Sequence, residues 1–423
     1  MKIKSVSARA IFDSRKEKTI LVSIKTNVGE FSASAPNGKS TGKHAKKIYK
    51  KNLEGDIKAI KDFSDYFDEE VLEKFEDLQR VEDIVDRHVG ANTLFALESA
   101  ILKAIAFEQK KQVWELIGSS AKRFPRLVGN CVGGGMHSRA HTSSSEREQG
   151  AHSNSAPKSV PSVDEDLNTS GKRKPDFQEF LLIPKSKSVK ESFEINKKAK
   201  KEVEKLLEET NKNFKGEKND ENAWMVSLNE KEILELLSSH DLLAGARKPK
   251  IPLGLDVAAS SFYKRKNYQY QNPLLKRTTE EQLGYLSNLI KNFNLFYIED
   301  AFEENDFESH AKLLKKFPNS LIVGDDLIVT NHERLEKAIE MKSINAVIVK
   351  PNQIGSLLEV KKVCELAKKN NIKIVFSHRS GETEENILAD LAFGFQADFF
   401  KCGIDGKERE AKLKRLIEIE KGF

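Results

Sequence analysis

At 423 residues, 38% hydrophobic and 32% charged, the chain is long enough for two globular units, and no run approaches the roughly 18 apolar residues of a membrane span. The net charge of +6 arises from 71 basic against 65 acidic residues. These are interspersed along stretches such as KKAKKEVEKLLEETNK, a solvated helix face and not the clustered basic surface with aromatic platforms that a nucleic-acid partner requires.

The opening MKIKSVSARAIF alternates like a strand, so no signal peptide is expected. IKSVSARAIF, TILVSIKTNV and EFSASAP predict three strands joined by short turns. The next stretch, APNGKSTG at residues 35 to 42, ends like a P-loop, but a P-loop needs a glycine five residues before Gly38, and Ala33 stands there. What remains is a loop with two hydroxyls, Ser40 and Thr41, between glycines. Apolar residues then recur at three and four through KAIKDF, EEVLEKFEDLQRVEDIVDRH and TLFALESAILKAIAFEQKK, which predicts helices. Strands followed by helices predict a small α+β domain over residues 1–125.

Residues 138 to 175, SRAHTSSSEREQGAHSNSAPKSVPSVDEDLNTSGKRKP, hold almost nothing apolar and cannot repay the entropy of ordering. They are expected to form a disordered surface insertion. His137, His141 and His152 around this tract are too loosely spaced for a zinc site. The three cysteines, Cys131, Cys364 and Cys402, also lack metal-ligand spacing and fit structural thiols in a reducing cytoplasm.

The second half changes rhythm. IPLGLDVA, LFYIEDAF, SLIVGDD, NAVIVK, IKIVFSHR and ADFFKCG alternate with helices such as SLLEVKKVCELAKK, the pattern of parallel strands with crossover helices. The runs close on Asp256, Glu299, Asp325, Lys350, His378 and Lys401, and from Glu299 onward the intervals are 26, 25, 28 and 23 residues. Such an array predicts a closed barrel of eight βα units over residues 126–423, with these polar residues facing one cavity. An open doubly wound sheet would carry a glycine-rich turn after its first strand, and none is present.

Three carboxylates, Asp256, Glu299 and Asp325, each arrive from a separate strand, without cysteine or paired histidines. That donor set suits a hard, oxygen-seeking cation such as Mg²⁺, although helix caps or ion pairs would also account for any one of them. Lys350 ends a buried strand; with Lys401 and a cation nearby, its pKa is expected to fall, leaving an amine able to take a proton. A barrel lysine paired to an acid is the plainer alternative. SHRSGET, residues 377 to 383, offers the fork of Arg379, the hydroxyl of Ser380 and the free N–H groups of a helix expected to open at TEEN, all suited to a phosphate; a capping turn reads nearly as well.

Taken together, ARAIFDSR, APNGKSTG, VGANTLFALESA, QEFLLIP, LGLDVAASSFY, YIEDAF, VGDDLIVTN, VKPNQIGS, SHRSGETEEN and the strand ending at Lys401 resemble the enolase family along nearly the whole chain. The resemblance implies an enolase-type barrel behind the N-terminal domain, and dehydration of 2-phosphoglycerate to phosphoenolpyruvate with two Mg²⁺ ions. In the enolase superfamily a Lys or His base works with Mg²⁺ that stabilises the enediolate. By this resemblance Asp256, Glu299 and Asp325 would hold the first ion and Lys350 would remove the C2 proton. Glu221 of NDENAWMV would be the acid for the departing 3-hydroxyl, and Glu179 of QEF its partner. Lys401 would contact the substrate carboxylate, and Arg379 with Ser380 the phosphate. His378 precedes that arginine as in the family, and His137 matches a flap histidine. APNGKSTG is similar to the family's flap PSGASTG, where Ser40 would reach the second ion. The resemblance also implies a homodimer or higher homo-oligomer and a cytoplasmic location. An enzyme of the same superfamily acting on another carboxylate, and a noncatalytic enolase-like scaffold, are the rival readings.

Several positions depart from that pattern. Lys39 replaces a small flap residue, Asn219 and Asn222 replace glycines beside Glu221, and KCGIDGKERE lacks the APxRSER-like run expected after Lys401. These changes leave the metal and base positions intact and fall on the loops that would carry His137 and Glu221.

Overall fold

The computed structural model describes residues 1–39, 44–68, 70–85, 87–135, 174–239 and 251–423. The first strands, β1 (Ile3–Phe12), β2 (Lys18–Thr26) and β3 (Glu30–Ser34), form an antiparallel meander in the order β1-β2-β3. Asp13 sets the first turn, its carboxylate accepting from the backbone N–H of Arg15 at 2.8 Å and of Glu17 at 2.9 Å. The inward residues of β2, Ile20, Val22 and Ile24, are fully buried.

Helices α1 (Leu53–Asp62), α2 (Leu78–Val85), α3 (Ala91–Glu108) and α4 (Val113–Ile117) follow. Asn52 caps α1, accepting from Gly55 N–H at 2.7 Å, as a short polar side chain at an N-cap does. Helix α3 is apolar around most of its circumference, the pattern of a helix enclosed on all sides; it packs against β2 and β3 on one side and against Gly355 of the barrel on the other.

The barrel strands are β4 (Arg126–Gly133), β5 (Glu179–Leu182), β7 (Leu253–Asp256), β11 (Tyr297–Glu299), β12 (Leu321–Gly324), β13 (Ala346–Val349), β14 (Lys373–Ser377) and β15 (Phe399–Lys401), with the short β6 (Trp224–Met225) beside β4. Pairing of Phe399 with Arg126 and Lys401 with Val128 closes the ring. A separate hairpin sheet comprises β8 (Tyr263–Lys264), β9 (Asn267–Gln271) and β10 (Leu274–Arg277). Outer helices are α5 (Val189–Thr210), α6 (Glu230–Ser238), α7 (Thr279–Phe293), α8 (Phe307–Lys316), α9 (His332–Glu340), α10 (Pro351–Ile354), α11 (Leu357–Lys369), α12 (Ile387–Gly394) and α13 (Lys407–Glu420). Alternate strand residues, among them Val128, Leu181, Tyr297, Val323, Ile348 and Val375, fill the barrel centre, while their neighbours pack outward onto the helices, as period-two alternation requires.

The six strands from β7 onward are parallel as their rhythm predicts. The first pair escaped that reading because β5 runs antiparallel to both neighbours, placing Glu179 opposite Gly133 on one side and Asp256 on the other. This reversal has a functional result: the start of β5 lies on the same rim as the ends of the other strands. The expected insertion at residues 138–175 falls, except for Lys174 and Pro175, outside the described residues.

Candidate active site

The rim at the strand ends brings the expected carboxylates together. Asp256 and Glu299 are register partners on adjacent strands, and Asp325 follows β12 directly. Lys401, from β15, donates to Asp256 Oδ2 and to Glu299 Oε2, each at 2.8 Å, and lies 3.3 Å from Glu179 Oε2. Burial alone would push this ammonium down, but Asp256, Glu179 and Glu299 hold its pKa well above the ordinary lysine value. Burial, with Glu221 and neighbouring acids, raises Glu179 well above the ordinary carboxyl range.

Lys350 forms a buried ion pair with Asp325 Oδ2. Burial lowers its pKa, yet Asp325, aided by Glu299, overrides both that effect and the repulsion of Arg379 and Lys401, and the net shift is upward. The expected depression invoked a cation beside Lys401; the pairing with an acid, the plainer alternative, is present here and acts in the opposite direction. Asp325 is held low in turn: burial, the largest effect, raises it, but Lys350, Lys401 and Arg379 together outweigh that.

Four carboxyls, Glu179, Asp256, Glu299 and Asp325, thus share two ammonium groups. The buried oxygens Glu299 Oε1 and Asp325 Oδ1 have no hydrogen-bond donor among the described residues, an arrangement that is costly unless a cation completes it. The donor set fits Mg²⁺. A second acidic group, Asp300, Asp325 and Asp326, draws its oxygens within 4.8 Å, but Asp300 spends its carboxylate on the backbone N–H groups of Asp325 at 3.0 Å and Asp326 at 2.7 Å. Asp300 thus holds the turn, and of the expected ligands only Asp325 belongs to this close group.

A small pocket of about 20 Å³, open at its mouth, lies over this rim and is lined by Glu179, Glu221, Lys350, His378, Arg379 and Ser380 among others. Arg379 is buried, donating to Asn352 Oδ1 at 3.2 Å. A Cβ on Gly38 would lie 1.7 Å from its Nη2, so only glycine lets the chain pass this close. The helix expected to open at TEEN instead begins at Ile387. The N–H groups of Arg379 and Thr383 both go to the Glu382 carboxylate, at 3.0 and 3.2 Å, so SGET is a loop closed on its own glutamate, which leaves the side chains of Arg379 and Ser380 as the groups lining the cavity there.

Glu221 reaches the cavity because both asparagines that stand in for glycines suit the turn. Asn219 Oδ1 accepts from Glu221 N–H at 3.0 Å and Ala223 N–H at 2.9 Å, and Asn222 takes the left-handed conformation at φ +62° that asparagine tolerates better than other side chains. Glu221 Oε2 accepts from Asn130 Nδ2 at 3.1 Å and stands 3.6 Å from His378 Nε2. Burial drives the pKa of His378 well below its ordinary value, with Arg409 and Lys401 adding to the effect against Glu221, so this imidazole is neutral.

Ser40 and His137 lie outside the described residues. Sequence reasoning missed Gln178, which donates to Asp256 Oδ2 at 3.2 Å, and Arg409, whose Nη2 donates to the carbonyls of Asp220 and Ser380, each at 3.0 Å. Gln178 adjoins Glu179 in QEF and that adjacency was a usable signal; Arg409 sits on an amphipathic helix like any surface arginine, with none. The three cysteines are buried free thiols that burial pushes up to about 12, consistent with a structural role.

The family model described as the enolase C-terminal TIM barrel domain matches residues 168–423, and the enolase N-terminal domain model matches residues 3–117. Curated relatives named enolase include those of Methanosphaera stadtmanae, 34% identical over 99% of this chain and 96% of the relative, and Archaeoglobus fulgidus, 33% identical over 99% and 97%. That of Methanocorpusculum labreanum is 33% identical over 100% and 99%. With two domain models spanning most of the sequence and full-length relatives above 30% identity, the chain belongs to the enolase family.

Proposed function

We propose that the chain is a phosphopyruvate hydratase, a hydro-lyase that dehydrates 2-phosphoglycerate to phosphoenolpyruvate in glycolysis and gluconeogenesis, using two Mg²⁺ ions per active site. The observation that carries this reading is the rim itself: carboxylates from three strands in excess of their ammonium partners, beside a cavity that has a phosphate-binding end at Arg379 and an acidic end at Glu221. Asp256, Glu299 and Asp325 would hold the first ion, and Ser40 would contribute to the second. Such an ion would supply positive charge against the substrate carboxylate as negative charge gathers there.

Lys350, in its neutral form beside Arg379 and Lys401, takes the C2 proton at Nζ. The electron pair from the C2–H bond passes into the carboxylate as an enediolate, with Lys401 at its oxygens. It then returns to form the C2–C3 double bond as the C3–O bond breaks. Glu221 delivers the proton that turns the departing hydroxide into water, and Glu179 beside it, whose proton affinity burial raises, supports that role. Arg379 and Ser380 hold the phosphate, His378 remains neutral next to Glu221, and His137 would be the flap histidine of the family.

We further propose two domains, an N-terminal α+β unit at 1–125 and a barrel at 126–423, a homodimer or higher homo-oligomer, and a cytoplasmic location. No helix among the described residues is long and apolar enough to cross a membrane. The test is the ultraviolet absorbance of phosphoenolpyruvate formed from 2-phosphoglycerate. Turnover with Mg²⁺ that is lost on chelation and restored by added metal is expected; folded protein without turnover would favour the scaffold reading.

A further inference from the structure

We infer that Lys39 and Asp220 form a positioning pair that fixes the acid loop against the phosphate-binding loop, an inference that rests on the reading of Glu221 as the acid. Lys39 Nζ donates to Asp220 Oδ2 at 2.8 Å across 181 residues of sequence. The Asp220 side chain is only 6% exposed and that of Lys39 25%, so the pair is screened far less than a surface ion pair. Its backbone is anchored too. Asn37 and Gly381 exchange N–H···O bonds of 2.7 and 2.9 Å, and Lys39 N–H donates to Ser380 Oγ at 3.0 Å. Lys39 is therefore tied by its main chain to the loop of Arg379 and Ser380, and by its side chain to the residue preceding Glu221.

The same two loops are joined a second time. Arg409, 1% exposed, donates from one nitrogen to the carbonyls of Ser380 and Asp220. One connection is buried, and the other runs through Lys39, which lines the cavity. The phosphate leaves from neither end of the reaction: it stays on C2 while the hydroxyl departs from C3, so the acid must be held at a fixed distance from the phosphate anchor. Displacement of a catalytic group by an ångström costs on the order of a hundredfold in rate. Lys39 stands where the family's flap carries a small residue, so the connection through it comes from a departure that the metal and base positions do not explain.

The test is a double-mutant cycle on Lys39→Met and Asp220→Asn, with the exchanged pair Lys39→Asp/Asp220→Lys, in the Mg²⁺-loaded full-length chain. Thermal unfolding checks that each variant folds. Each single variant is expected to lower kcat for dehydration about 5- to 30-fold with KM within about twofold, the double variant to cost no more than either single one, and the exchanged pair to recover most of the loss. Exchange of the C2 proton with solvent deuterium, which needs the base and not the acid, is expected to persist in all of them. Additive losses, unchanged kcat, or a raised KM in Lys39→Met alone would overturn the inference, the last making Lys39 a direct phosphate ligand. Glu221→Gln separates the two levels. If it retains dehydration, the acid assignment itself fails; if it loses dehydration but keeps C2 exchange while the cycle is additive, only the positioning pair fails.

Discussion

Replacing Lys350 with alanine tests the base assignment at the point where geometry and charge pull in different directions. The side chain ends a buried strand and pairs with Asp325, which raises its proton affinity, yet the reaction needs it neutral. A general base contributes on the order of 10²- to 10⁴-fold, or roughly 2.7 to 5.5 kcal/mol at about 1.36 kcal/mol per tenfold. Because proton removal comes before loss of the hydroxyl, turnover and C2 exchange should fall together by that factor. Two measurements read this: phosphoenolpyruvate absorbance, and loss of deuterium from substrate labelled at C2. The substitution also leaves Asp325 Oδ2 without its ammonium while Oδ1 already lacks a donor, so unfolding curves must accompany the kinetics to separate a lost base from a damaged fold. Added methylamine, which fits the space vacated by the side chain, should restore part of the exchange. A folded Lys350→Ala protein that exchanges the C2 proton within threefold of the wild-type rate would refute the assignment.

Gly38→Ala tests the close passage over Arg379. The new methyl would sit 1.7 Å from Nη2 and 2.4 Å from Cζ, and Arg379 is bound to Asn352 and cannot yield freely. Loss of one charge-assisted phosphate contact is about 1.5–3 kcal/mol, so KM for 2-phosphoglycerate should rise roughly 10- to 100-fold at that cost; a KM within twofold of the wild-type value would count against Arg379 as the phosphate ligand. Glu98→Gln tests a buried acid between the meander and the barrel. Glu98 accepts from Leu357 N–H at 2.6 Å, and burial, with the charge of Glu82 adding, raises its pKa well above 4.5. A carboxyl raised on folding contributes stability that is present below about 4.5 and lost as pH climbs toward its folded pKa. Glutamine keeps the acceptor without the charge, so the melting temperature of the variant should gain on the wild type steadily as pH rises above 4.5; a gap independent of pH would show that Glu98 does not titrate there.

The parallel half of the barrel was legible because each strand is a short apolar run closing on a polar residue, and the intervals from Glu299 to Lys401 repeat. β4 and β5 gave no such rhythm. Between them lies the long polar tract, and β5 is reversed, so its functional residue, Glu179, comes at the beginning of the run and not at its end. The helix start after SHRSGET was misplaced for a related reason: Glu382 satisfies the loop's own N–H groups, a local bond that makes a sequence with capping residues remain a loop for several residues more.

The site was legible in its members and not in its charge balance. Residue types at strand ends identify Asp256, Glu299, Asp325, Lys350 and Lys401 as a group, because the fold forces strand ends together. Which ammonium faces which carboxylate is fixed by three-dimensional neighbours, and for Lys350 the ion pair with an acid that the sequence left as the plainer alternative is the one present. Lys401 takes up Asp256 and Glu299, which leaves Asp325 to Lys350 and keeps that amine charged. The base is therefore not prepared by burial alone. Its readiness depends on how the rim's carboxylates are shared, so a change at Lys401 should alter the proton affinity of Lys350 through Asp325 and Glu299 even though no hydrogen bond joins the two lysines.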